Sequence, residues 1–204
     1  MNWLAHALLS ENTSVFRLGN LLPDFLTAVE LSQLDLVFQP GVVCHRRIDA
    51  FTDQHPVVRG SVRRFVPAYR RVAPVLVDVF YDHFLSTDWA QYSAQPLEAF
   101  VAEVYESFEV HRAQLPESLW PPLERMRAED WLGSYRDFDG LRRTLTRMEK
   151  RFRRRVDLVG GVAELERNYS ELRADFRKFF PELRAMVTVS AFNPGNPSSV
   201  RASL

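Results

Sequence analysis

Cys44 is the only cysteine in 204 residues, which excludes an intrachain disulfide and any multi-cysteine metal cluster. So little thiol chemistry fits a reducing, cytoplasmic setting. Lysine is nearly missing as well: Lys150 and Lys178 stand alone, and 24 of the 26 basic residues are arginine. Arginine's planar fork suits carboxylates and phosphates, although a GC-rich genome produces the same bias. Net charge is absent, with 26 basic residues against 26 acidic ones, so generic binding to nucleic acid is not indicated. There is no uncharged apolar run long enough to cross a membrane, and the opening residues Asn2, Trp3 and His6 lack the basic start of a secretion signal. Fixed-period repeats and a domain-separating linker are lacking too.

What is there is helical. Apolar residues recur at three and four residue spacing, convincing period-two alternation is scarce, and the reading is an all-α, single-domain helical bundle. The pattern predicts helices over Asn2 to Ser10, from a cap at Ser14 through Phe25, and over Val42 to Gln54 after a Pro40-Gly41 boundary. Pro23 should break the second of these near Leu22, because proline lacks an amide donor. Further helices follow over Pro56 to Tyr69, Pro74 to Trp89, Pro96 to Gln114, Leu123 to Trp131, Gly140 to Arg153 and Gly161 to Met186. Pro116 and Pro121-Pro122 mark loops. The Pro74 helix is apolar around most of its circumference and belongs at the centre. Residues 187–204, with Asn193-Pro194-Gly195-Asn196-Pro197, read as a flexible tail dispensable for chemistry.

The neutral total conceals patches. Residues 41–75 carry seven Arg against two Asp, residues 134–156 carry nine basic against three acidic residues, and 76–133 hold eleven acids against three Arg. Solvated helix faces explain such patches, and so does docking of a charged partner.

The residues able to carry chemistry lie in the first 83 positions. His6 sits on an apolar helix, where a lone histidine is ordinarily a satisfied core residue. Asp24 follows Leu21, Leu22 and Pro23, surroundings in which an unpaired carboxylate is costly. His45 and Asp49 are four apart and share a helix face, with Asp53 one turn on. Asp78, Asp82 and His83 lie on the most apolar helix and need a cation or one another there. His6, Asp24, His45, Asp49, Asp78, Asp82 and His83 together offer oxygen and imidazole donors without thiolate. That set favours Mn²⁺, Mg²⁺ or Fe²⁺ over structural zinc and points to hydrolysis with a polarised phosphoryl oxygen.

Four motifs then fall in register: Asn2-x-Leu4-Ala5-His6, Gly19-Asn20-x-x-x-Asp24, His45-Arg46-x-Ile48-Asp49-x-x-Thr52-Asp53 and Asp78-x-x-x-Asp82-His83-Phe84-Leu85. In order and spacing they resemble the bacterial acyl carrier protein phosphodiesterases, from Met1 to about Met186. Trp131-Leu132 and Tyr135-Arg136-Asp137 match as well. The resemblance implies a cytoplasmic, Mn²⁺-dependent enzyme with a divergent HD-like phosphohydrolase architecture. It would cleave the phosphodiester between 4′-phosphopantetheine and the serine of holo-acyl carrier protein. The sequence departs from the usual HD pattern: His45 is followed by Arg46, and the only adjacent pair, Asp82-His83, is reversed.

On that reading Asp24, His45, Asp82 and His83 hold the metal, with Asp49 as ligand or as orienter of an imidazole. His6 or Asp78 serves as acid or base, Arg46 or Arg47 neutralises phosphoryl charge, and Asn20, Thr52 and Asp53 contact substrate. Acyl carrier proteins are acidic, so a basic face should steer them. Arg59, Arg63, Arg64, Arg70 and Arg71 form the favoured docking face, with Arg142, Arg143, Arg147, Arg151 and Arg153-Arg154-Arg155 as its rival. The competing readings are a phosphohydrolase of a nucleotide or another small phosphodiester, and a non-catalytic adaptor for an acidic protein.

Overall fold

The computed structural model describes residues 1–152 and 156–191. Among these residues the chain forms α-helices linked by short 3₁₀ turns and no strand, so the all-α expectation holds. The helices are α1 (Trp3–Leu8), α2 (Ser14–Leu21), α3 (Ala28–Gln33), α4 (Gln39–Gln54), α5 (Pro56–Arg63), α6 (Ala73–Thr87), α7 (Leu97–Val110), α8 (Trp120–Ala128), α9 (Phe138–Glu149), α10 (Val162–Arg167) and α11 (Tyr169–Ala191). None is long and apolar enough to cross a membrane.

As its composition predicts, α6 lies at the centre, with Leu76, Val77, Val79, Phe80, Tyr81, Phe84 and Leu85 wholly buried. It packs against α1, α5, α11 and the 3₁₀ turn Gly133–Arg136. Phe176, Phe179 and Phe180 of α11 pack around Tyr81, Phe84 and Tyr92. Truncating one such fully buried ring to alanine costs about 3–5 kcal/mol. At the far end of α6 the buried Asp88 is clamped between Arg173 and Arg177 of α11.

The crossing of α2 and α4 fixes the site. A methyl group on Gly19 would lie 2.2 Å from the Phe38 carbonyl oxygen, and one on Gly41 would lie 2.2 Å from that of Phe16. Only hydrogen at both positions lets the two backbones approach this closely. Asn20, next to the first glycine, is thereby pressed against the turn of α4 that bears His45.

Several boundaries differ from the pattern-based expectation, each for a local reason. Asn2 caps α1 from outside, accepting the Trp3 amide. Thr13 rather than Ser14 caps α2, and the Ser14 hydroxyl is instead 2.7 Å from Nε2 of His111. Helix α3 was not expected; a capping box between Thr27 and Glu30 nucleates it. Pro40-Gly41 and Pro121-Pro122 open α4 and α8 rather than separating elements, because the first-turn amides have no intrahelical partner to lose. Helix α5 stops at Arg63 since Pro67 forces Val66 into extended geometry before the turn Pro67–Tyr69. The single helix expected over Gly161 to Met186 is two helices, split at Asn168, whose side chain donates to the Glu164 carbonyl. Helix α11 runs on to Ala191, so 187–191, expected in the tail, are helical, with Val187 against the core. The remainder of the expected tail, 192–204, and Arg153-Arg154-Arg155 lie outside the described residues.

Candidate active site

Three elements converge on one point. His6 comes from α1, Asp24 from the 3₁₀ turn Leu22–Asp24 created by Pro23, and His45 and Asp49 from successive turns of α4. Asn20 organises them. Its side-chain oxygen is 3.0 Å from His6 Nδ1, its main-chain oxygen is 2.8 Å from His45 Nδ1, and its amide donates to the His6 carbonyl and the Ser10 hydroxyl. Both contacts to Nδ1 are to oxygen acceptors, so each neutral ring carries its proton on Nδ1 and presents the bare Nε2.

Both Nε2 atoms face Asp49. His6 Nε2 is 3.1 Å from Oδ1, and His45 Nε2 is 3.0 Å from Oδ2. The two imidazoles stack with their centroids 4.2 Å apart. A carboxylate facing two nitrogen lone pairs is repulsive unless protons or a cation lie between them. One ligating atom each from His6, His45 and Asp49 fall within 4.8 Å of one another, and Asp24 Oδ1 is 3.9 Å from His45 Nε2. The imidazoles are buried, whereas the Asp24 and Asp49 carboxylates are 37% and 40% exposed. This donor set fits a divalent cation reached from solvent.

The electrostatics agree. Burial works against charge on His45, but Asp49, Asp24 and the Asn20 carbonyl outweigh it and raise its pKa. Burial alone would lift Asp49; when the imidazoles are protonated, hydrogen bonds from the His45 and His6 Nε2–H groups, with the Met1 amine nearby, hold it well below the usual carboxylate range. The Met1 amine lies 3.6 Å from Asp49 and 3.3 Å from Asp78. Despite burial, Asp78, Asp49 and Asp82 raise its pKa to about 10.

The other expected site residues divide. Asp78, on α6, reaches the same place through the Met1 amine and is one-third exposed (33%). Asp82 and His83, expected to hold the metal, are turned elsewhere. Asp82 lies wholly buried behind α1, where Oδ2 accepts the Leu4 amide at 2.8 Å while Oδ1 has no partner among the described residues. Burial pushes its pKa up to about 8. It fixes the first turn of the helix that carries His6. His83 points across α6, its Nδ1 2.7 Å from the Tyr135 carbonyl and its Nε2 3.2 Å from the Tyr169 hydroxyl. Asn20 and Thr52, expected to contact substrate, are buried and engaged internally, Thr52 with the Ile48 carbonyl. Asp53, Arg46 and Arg47 are exposed on α4.

Comparison with known proteins decides the family. The model of the acyl carrier protein phosphodiesterases matches residues 1–183. A protein of that name from Enterobacter sp. (strain 638) is 35% identical over 184 residues, 90% of this chain and 95% of its own. One from Serratia proteamaculans (strain 568) is 32% identical over 191 residues, again 90% of this chain and 95% of its own. The chain belongs to the acyl carrier protein phosphodiesterase family. No solved structure matches it.

In this family member a groove opens beside the donor cluster. Asp24, Asp78, Met1, Trp3, Met148 and Arg151 are among the residues that line it. Sequence reasoning missed Trp3, Met148 and Arg151 as groove residues because Met148 and Arg151 lie 145 and 148 positions beyond Trp3 in the chain; only the fold joins them. It also missed the orienting role of Asn20, although the Gly19-Asn20 pair, a small residue before an amide, is the signal that could have found it. Of the arginines expected to dock a partner, Arg59 donates to the Asp53 carbonyl and Arg64 pairs with Asp175 at 3.0 Å, while Arg63, Arg70 and Arg71 are exposed.

Proposed function

We propose that this chain hydrolyses the phosphodiester joining 4′-phosphopantetheine to the serine of holo-acyl carrier protein, with Mn²⁺ as cofactor and Mg²⁺ or Fe²⁺ as alternatives. The family carries the reaction class, and the convergence of two imidazole lone pairs on Asp49 carries the metal. His6, His45 and Asp49 would hold the ion, with Asp24 as a further oxygen donor. A bound divalent ion supplies a Lewis acid for the phosphoryl oxygen and lowers the pKa of bound water.

The chain's own residues do the rest. Asn20 locks both rings with Nε2 inward, the outer-sphere support that imidazole ligands require. With His6 in the donor set, Asp78 is left to pass a proton to the departing serine oxygen. Water adds to phosphorus, the P–O(serine) bond breaks, and the products are the serine hydroxyl of apo-acyl carrier protein and the phosphomonoester 4′-phosphopantetheine. Arg46 and Arg47 add positive charge along α4. Exposed Arg63, Arg70 and Arg71 face an acidic carrier protein, so its docking should weaken with salt. A divergent HD-type relationship and a cytoplasmic setting belong to the same proposal, supported by the helical scaffold, the histidine and aspartate donors and the lone cysteine.

The test is metal analysis of the purified chain together with conversion of holo- to apo-acyl carrier protein, followed for the wild type and His45→Ala. Loss of one ligand should lower kcat/KM by about 10³-fold, equivalent to roughly 4 kcal/mol. If His45→Ala retains both Mn²⁺ affinity and hydrolysis, the proposed centre is wrong. Faster turnover of small phosphodiesters than of holo-carrier protein would favour the smaller substrate.

A further inference from the structure

The groove beside the donor cluster is lined by charges of both signs. Asp24 and Asp78 are its carboxylates, and Arg151 is its guanidinium. Arg151 lies just past α9, its guanidinium 5.5 Å from the centroid of Trp3 and 5.9 Å from that of Trp131. These rings form a ladder: Trp3 stacks on Phe25 at 5.6 Å and on Trp131 at 5.2 Å, with interplanar angles of 17° and 18°. Arg147, also stacked on Trp131, is 3.7 Å from the Glu129 carboxylate. Arg151 is exposed and has no carboxylate partner among the described residues. It is a cation held in place by aromatic faces, with its charge uncompensated.

Two further donors in the groove wall lack acceptors. Asn2 and Trp3 are 5% and 3% exposed, both line the groove, and neither the Asn2 side-chain amide nor the Trp3 indole N–H has a partner among the described residues. Buried N–H groups without acceptors are rare and costly. Those two N–H groups lie beneath the groove surface, and Arg151 brings an uncompensated cation to a groove that also borders the carboxylate and imidazole donors. A cation so placed suits an anion with several acceptor oxygens.

We propose that Arg151, mounted on Trp3 and Trp131, forms a phosphoryl-binding subsite that holds the phosphate of the substrate against the donor cluster. The inference rests on the phosphodiesterase reading above and deepens it by naming the residue that grips the phosphate. It also moves that role from Arg46 and Arg47, on the exposed face of α4, to the second arginine-rich stretch. Val75 and Met148 give the same groove an apolar side on which the pantetheine arm can lie.

The experiment compares calorimetric binding of 4′-phosphopantetheine and of pantetheine, which lacks the phosphate, to the full chain, to Arg151→Ala and to Arg151→Lys. The wild type should prefer the phosphorylated ligand by about tenfold or more, the value of one charge-assisted hydrogen bond. Arg151→Ala should bring the two ligands to within about twofold of each other, and Arg151→Lys should keep part of the preference, since the ammonium retains charge without the fork. No preference in the wild type, or a preference that survives in Arg151→Ala, overturns the subsite. A raised KM for holo-carrier protein with the preference intact overturns it too, and makes Arg151 a protein-docking residue. If the wild type leaves holo-carrier protein intact yet the preference depends on Arg151, the subsite stands and the enzymatic reading falls.

Discussion

Two histidine environments on either side of the same helix bundle show what separates a reactive imidazole from a structural one. His45 and His83 both direct Nδ1 at a main-chain oxygen, that of Asn20 in one case and Tyr135 in the other. Both are buried. Their difference lies at Nε2. For His83 the partner is the Tyr169 hydroxyl, which can donate, so the neutral ring closes its hydrogen-bond circuit. For His45, and for His6 stacked on it, the partner is the Asp49 carboxylate, which can only accept. On the proposed reading a cation would complete the second circuit, and the first needs nothing.

The strongest way to break this contrast is Gly41→Ala. The added methyl would press on the Phe16 carbonyl and on the backbone at Gly19 and Asn20, so α2 and α4 must separate. Overpacking of this kind costs about 3 kcal/mol, the upper end of its usual range. It moves Asn20 away from His45 while leaving the surroundings of His83 unstrained. Chemical denaturation should register the loss, and NMR of the imidazoles should shift for His6 and His45 with His83 nearly unchanged. Equal shifts at all three would mean that the glycine crossing does not shape the centre specifically.

Asn20→Ala is the next largest. It removes the Nδ1 acceptor of His6 and the tie between α1 and α2 but keeps the main-chain oxygen that holds His45. Losing an outer-sphere partner lowers metal affinity by about 10–100-fold, measurable by titration with Mn²⁺. An unchanged affinity would show that His6 needs no orientation from Asn20.

The same contrast explains what was legible in the sequence. The spacing of His45 and Asp49 on one helical face needed only a 3.6-residue period and was readable, as were the central α6 and the Pro23 break. Asp82 and His83 looked equally suitable, because composition reports that a polar group is buried but not what meets it. The Leu4 amide, 78 residues away, meets one oxygen of Asp82, and the Tyr169 hydroxyl, 86 residues away, meets His83. Arg151 escaped notice as a phosphate contact for the same reason: its aromatic mount is assembled from Trp3 and Trp131, which only the fold brings together.

The smallest effect is also the sharpest discriminator, because the two environments give opposite pH slopes. Burial holds the pKa of His83 below its usual value, with the Tyr135 carbonyl offsetting only part of that penalty. As pH falls through about 6.5 the unfolded chain takes up this proton first, so stability declines. The pKa of His45 is raised. Its contribution is therefore fully present below about 6.5 and is lost as pH rises through the folded-state value. With a chelator present, urea denaturation between about pH 5 and 8 should show a shallower acid loss for His83→Gln than for the wild type and a steeper one for His45→Gln. Parallel slopes in the two variants would remove the distinction on which the metal assignment depends. Tyr169→Phe separates the hydroxyl from the ring: it leaves a buried Nε2 lone pair unpaired, costs about 1–2 kcal/mol at neutral pH, and should leave Mn²⁺ affinity where it was.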